Sequence, residues 1–140
     1  MVPRPHTSPT RLRILVVDDC SDAVESLRIL TELWGHEVRT ATDGAAALQL
    51  APAFQPHVAL VDIGMPRLNG YEVARRLRET EGLEKLFLLA VTGYGRTEDR
   101  ETAKQAGFDL HLTKPVDPQL LRDFLKKVIV AASSTEGRIL

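Results

Sequence analysis

The stretch ILVVDDC, residues 14–20, decides the fold. Four apolar residues run straight into two adjacent carboxylates, Asp18 and Asp19, with no glycine, asparagine or serine between them. A continuous apolar run suits a strand covered on both faces, because a strand with one wet face alternates apolar and polar positions. Two negative charges side by side at the mouth of such a strand repel each other unless a cation sits there. The seven residues therefore predict a buried parallel strand and a charged site at its carboxyl end.

The pattern repeats along the chain. With the first taken as RILVV (13–17), the apolar runs are five, the others being HEVRTA (36–41), HVALV (57–61), LFLLAV (86–91) and LHLT (110–113). Helical signals fill the gaps. SDAVESLRILTELWG puts Val24, Leu27, Thr31 and Trp34 on one face, with Ser21 or Asp22 as cap and Gly35 as stop. DGAAALQLA ends before Pro52, and NGYEVARRLRETEG starts at an Asn69 cap and groups Val73, Ala74 and Leu77. RTEDRETAKQAG, residues 96–107, has Thr97 as cap and Gly107 at its end, and the last helix opens at Asp117–Pro118. Five strands alternating with five helices imply an α/β fold, a single doubly wound five-stranded parallel sheet with helices on both faces. Residues 1–10 read as a disordered leader, 11–132 as one domain and 133–140 as a tail.

Composition narrows the function classes. A formal net charge of −1 over 140 residues leaves no long-range field to draw nucleic acid or a membrane surface as main partner. No apolar run is long enough to span a bilayer, and MVPRPHTSPT has no apolar core to act as a secretory signal. The single cysteine, Cys20, cannot form an internal disulfide, so the chain reads as cytoplasmic, with Cys20 as a small buried residue. His6, His36 and His57 lack carboxylate or cysteine neighbours at metal spacing and read as ordinary.

In an open parallel sheet the ligand site lies outside the carboxyl ends of the strands. Asp18 and Asp19 follow the first run, Asp62 the third, Thr92 the fourth and Lys114 the fifth. Taken singly, Asp19 can be a helix cap, Asp62 a turn acid, Thr92 a strand end and Lys114 a surface residue. Taken together they bring three carboxylates, a hydroxyl and one ammonium to a single sheet edge. That excess of negative charge calls for a divalent cation, and all-oxygen ligands suit Mg²⁺, which keeps room for water and a phosphate oxygen. With no histidine, serine or cysteine placed as nucleophile, Asp62 is the group that can take a phosphoryl, as an acyl phosphate.

These residues carry a resemblance. The DD pair at 18–19, VDIGMPRLNGYEVARRLR at 61–78, VTGYG at 91–95 and KPVD at 114–117 resemble the receiver domain of bacterial two-component response regulators. The wording of TGYG and GFDLHLTKPVD is most similar to receivers of hybrid histidine kinases. The resemblance implies a flavodoxin-like (βα)5 fold with strand order 2-1-3-4-5 and a cis Lys114–Pro115 bond. It implies Asp62 as phosphoacceptor, and Mg²⁺ held by Asp18, Asp19, Asp62 and the backbone carbonyl of Gly64. Thr92 matches the switch hydroxyl and Lys114 the partner of the phosphoryl oxygens. The implied donor is a histidine kinase or histidine phosphotransfer protein. The implied output face joins the fourth helix, fifth strand and fifth helix. One departure is His111, which stands where the family carries Phe or Tyr; as a switch residue it can follow the same inward path, or it can be a plain strand histidine.

Two rival functions use the same residues. A Mg²⁺-dependent phosphatase working through an aspartyl phosphate wants a second acid two residues after its nucleophile, and that place is Gly64. A receiver-like scaffold that never takes phosphate has no need of the intact acids, Thr92 and Lys114. The resemblance implies that the positions two after Asp62 and two after Thr92 are those best placed to orient an attacking water. Here they are Gly64 and Tyr94, which offer little for that, so slow self-dephosphorylation is expected.

Overall fold

Every residue of the strand Val58–Asp62 is buried, because it lies in the middle of the sheet with helices on both sides. The computed structural model describes residues 11–65, 69–93 and 106–137. In chain order the described elements are β1 Arg13–Val17, α1 Ser21–Leu33, β2 Glu37–Ala41, α2 Gly44–Phe54, β3 Val58–Asp62, α3 Gly70–Glu79, β4 Phe87–Thr92, β5 Leu110–Thr113 and α4 Pro118–Gly137. The strand order is β2-β1-β3-β4-β5, with every pair parallel. This is the flavodoxin-like order that the resemblance implied. The helix expected over 96–107, with its Thr97 cap, lies almost wholly outside the described residues.

Strand alternation divides the core in two. Leu15, Val17, Ala59, Val61 and Leu88 meet Ala47 and Ala51 of α2 and Val73 and Leu77 of α3. Ile14, Val16, Leu60 and Leu89 meet Val24 and Leu27 of α1 and Leu121, Leu125 and Val128 of α4. Fully burying each such leucine or valine stabilises the fold by about 1.5–3 kcal/mol before entropy is counted. Trp34 packs against the second core as expected, with the Arg122 guanidinium 5.4 Å from its ring.

The helix starts depart from expectation in one place. Asn69 caps α3 by accepting from Glu72 N (3.1 Å), and Asp117 accepts from Gln119 N (2.9 Å) at the start of α4. α1, however, takes neither Ser21 nor Asp22 as cap; its N-cap is Cys20, which makes no side-chain cap bond. Asp18 organises that turn instead, its Oδ1 accepting from Cys20 N (2.9 Å). α2 also runs past Pro52 to Phe54. Proline removes one N–H donor, but the ladder resumes at once with Gln55 N donating to Ala51 O (2.8 Å). α4 spans Pro118–Gly137.

At the amino ends of the strands, Leu12 N donates to His36 Nδ1 (3.0 Å) and Arg13 N to His57 Nδ1 (2.8 Å). Two histidines that read as ordinary thus close the backbone donors of Leu12, just before β1, and of Arg13, its first residue. No helix among the described residues is long and apolar enough to cross a membrane.

Candidate functional site

Strand register builds the site. Val17 pairs with Val61, so Asp18 follows β1 beside Asp62 at the end of β3. Asp62 pairs with Val91, which brings Thr92 alongside on β4. Thr92 pairs with Thr113, and Lys114 N donates to Thr92 O (2.7 Å) just beyond. The carboxyl ends of β1 and β3 also flank the point where strand order reverses, the place where open α/β sheets leave a crevice. Lys114–Pro115 is cis, as the resemblance implied.

The electrostatics are unbalanced. Asp18, Asp62 and Thr92 are buried, while Asp19 is exposed. Asp18, Asp19 and Asp62 each offer a carboxylate oxygen within 4.8 Å of the others. Among the described residues the cation bonded to this cluster is Lys114, with Nζ 2.8 Å from Asp18 Oδ2 and 3.3 Å from Asp62 Oδ2. Burial pushes the Asp62 carboxyl above its ordinary value; the Gly64 N–H donated to Oδ1 (2.8 Å) pulls it down, Asp18 raises it and Lys114 lowers it. The sum is upward. Burial also works against the charge on Lys114, but Asp18 and Asp62 more than offset this and raise its pKa. Three carboxylates facing one ammonium form an all-oxygen ligand set that fits Mg²⁺ and leaves positions for other oxygen ligands.

Each predicted site residue that is described thus lies at this edge, apart from His111. Gly64 sits in the turn after β3 with its N–H on Asp62; Thr92 ends β4. His111 lies on β5, half-buried, in a groove of about 680 Å³ shared with Phe87, Leu120, Phe124 and Val128. That groove runs along β5 and α4, one part of the expected output face; the helix that would complete the face, and Tyr94, lie outside the described residues. Cys20 is exposed, contrary to the expectation of burial. The strand ends at Val17, so the apolar run no longer carries position 20 inward.

The sequence profile of the response regulator receiver domain matches residues 14–126. The chain belongs to the response regulator receiver family. Protein PilH of Pseudomonas aeruginosa is 34% identical over 117 residues, covering 84% of this chain and 97% of its own. The chemotaxis protein CheY4 of Vibrio cholerae superposes with a TM-score of 0.80 at 28% identity, over 84% of this chain and 98% of that one. The receiver domain of sensor histidine kinase PA1611 from Pseudomonas aeruginosa PAO1 was solved with a magnesium ion coordinated in its active-site cleft. It has a TM-score of 0.77 at 28% identity, covering 85% and 98% of the two chains. As a receiver domain, the chain is a component of two-component signalling, and its aspartate cluster is compatible with the Mg²⁺ site of such domains.

Two features of this receiver were not read from the sequence. A cleft of about 670 Å³ opens beside Asp18 and Lys114, walled by Ala23, Ser26 and Leu30 of α1 and by Val116. Small residues three apart on α1 were the available signal. The other is Gly70, which read only as the residue after a helix cap.

Proposed function

We propose that this receiver takes a phosphoryl group onto Asp62 from a histidine kinase or histidine phosphotransfer protein, and switches conformation within a phosphorelay. The observation that carries the reading is the Asp62 carboxylate. It is 7% exposed, held by Gly64 N–H and Lys114, and lies in a three-acid cluster with more negative than positive charge. A carboxylate so placed gains when a divalent cation neutralises the cluster, and that cation would also offset the negative charge a phosphoryl adds.

A carboxylate oxygen of Asp62 forms the new P–O bond as the donor's P–N bond breaks, and the departing imidazole nitrogen keeps the electron pair and takes up a proton. Asp18, Asp19, Asp62 and the Gly64 carbonyl would hold Mg²⁺, which would supply positive charge for the phosphoryl oxygens. Lys114 exchanges its contact with Asp62 for a phosphoryl oxygen. Thr92 donates its hydroxyl to another, and His111 moves into the space that Thr92 leaves. These changes bias a two-state equilibrium that the output partner reads on the face containing β5 and α4. The domain works in the cytoplasm and acts on itself, without turning over a separate substrate. The phosphatase reading is disfavoured by Gly64, which offers no second acid, and the scaffold reading by the intact set of acids with Lys114.

The test is incubation with acetyl phosphate and Mg²⁺, followed by intact-mass and peptide mass spectrometry. One phosphoryl per chain on Asp62 is expected, lost with EDTA and with Asp62→Asn. Labelling that survives both treatments contradicts the assignment, and catalytic release of phosphate from many donors per chain favours the phosphatase.

A further inference from the structure

α3 begins against the backbone that carries the phosphoacceptor. A Cβ on Gly70 would lie 2.4 Å from Ile63 Cα and 2.6 Å from the carbonyl oxygen of Asp62. Carbon contacts are ordinarily about 3.5–4.0 Å, so the helix is seated directly on the peptide that joins Asp62 to Ile63. The backbone of Gly70 is helical, so the demand for glycine here is one of space.

Which side would yield to an added methyl follows from what holds each. α3 is anchored along its length by Val73, Ala74 and Leu77, all fully buried. At its far end Arg78 donates to the carbonyls of Leu86 and Gly107, ahead of β4 and β5. The other side is the end of β3. Ile63 N still donates to Val91 O (3.1 Å), but Gly64 is already exposed and outside the strand. The turn is the softer partner.

We infer that Gly70 is a positioning residue for the acid pocket: its missing side chain lets α3 buttress the Asp62–Gly64 turn and so sets that turn against Asp18 and Asp19. The inference rests on the reading that this pocket holds Mg²⁺. Asp62 Oδ1 is bonded to Gly64 N at 2.8 Å, so carboxylate and turn move together. Restoring normal contact around an added methyl takes a shift of about 1 Å. Mg²⁺ tolerates little of that, because it demands near-octahedral ligands at about 2.0–2.1 Å.

The experiment is a Mg²⁺ titration followed by amide ¹H–¹⁵N shifts in wild type, Gly70→Ala and Val73→Ala. Val73→Ala removes buried methyl groups from the same helix without pressing on the turn, so it controls for lost stability. Gly70→Ala is expected to weaken Mg²⁺ by about 10- to 100-fold while folded, as losing support behind metal ligands does. Val73→Ala should stay within about twofold of wild type. Wild-type affinity in Gly70→Ala, or an equal loss in both variants, overturns the inference. If Gly70→Ala does not fold, hydrogen exchange on the unmodified protein decides. Val73 N and Ala47 N each donate to the carbonyl of a helix N-cap, Asn69 and Asp43 respectively. Mg²⁺ should slow exchange at Val73 more than at Ala47, and equal slowing at the two overturns the inference. A wild type that binds no Mg²⁺ at all fails differently: it removes the metal-site reading itself, and this inference with it.

Discussion

At the amino end of the sheet, the N–H groups of Leu12 and Arg13 each meet an imidazole nitrogen, whereas at the carboxyl end Asp18 and Asp62 share the single ammonium of Lys114. Both ends bury polar atoms. Among the described residues, one end pairs donors with acceptors, and the other leaves negative charge in excess. The amino end continues the same way around β4 and β5, where Arg78 donates to the Leu86 and Gly107 carbonyls and Asp109 Oδ2 accepts from Leu88 N (2.8 Å). A buried group with its partner adds stability, while a buried charge without enough partners costs it until something neutralises the site. The difference separates the end of the molecule that holds the fold together from the end that is set up to bind.

That comparison can be strained first where the balanced end is richest. Arg78→Ala strips three backbone carbonyls, those of Glu84, Leu86 and Gly107, and the Asp109 carboxylate of a charged donor, and should cost about 3 kcal/mol in denaturant unfolding. A loss under about 1 kcal/mol would mean that water replaces the guanidinium and the amino end is less tightly satisfied than described.

A smaller effect comes from pH at His36. Burial, and then the charge of Arg11, lower its pKa, so the folded chain keeps the imidazole neutral and able to accept from Leu12 N. The unfolded chain binds a proton more readily. Stability from this group is therefore complete above the unfolded value and falls away as pH drops through the folded one. His36→Asn supplies an acceptor oxygen that does not titrate. Between about pH 7 and pH 5 the wild type should lose about 1 kcal/mol more than His36→Asn. Parallel pH curves for the two proteins would remove His36 from the account.

Much of this was legible in the sequence because it is local. Consecutive apolar residues in β1, β3 and β4 mark strands covered on both faces, and the polar residue after each marks the sheet's carboxyl edge. Parallel register then does the rest, since it aligns Asp18, Asp62, Thr92 and Lys114 without any further instruction. What escaped is set by non-local contacts. The exposure of Cys20 depends on where β1 ends, and the contacts of Arg78 with Gly107 and of His36 with Leu12 join residues far apart in the chain. The crowding at Gly70 comes from the backbone of β3, which no spacing within α3 announces. Pro52 misled for the opposite reason: its local signal for a helix end was real but weaker than the packing of Ala51 in the core beside it.

The most direct measurement compares the unfolding free energies of wild type and Asp62→Asn, in EDTA and in saturating Mg²⁺. Because the Asp62 carboxyl is raised in the fold, chiefly by burial, its ionised form at neutral pH costs stability when no metal is bound. Asparagine keeps an oxygen for the Gly64 N–H and carries no charge. In EDTA the variant should therefore be more stable than wild type by about 1 kcal/mol. In Mg²⁺ the wild type gains the binding free energy of the ion, and the gap should close or reverse. A variant that is less stable than wild type in EDTA, or a gap that Mg²⁺ leaves unchanged, would contradict the claim that this end of the sheet holds uncompensated charge awaiting a cation.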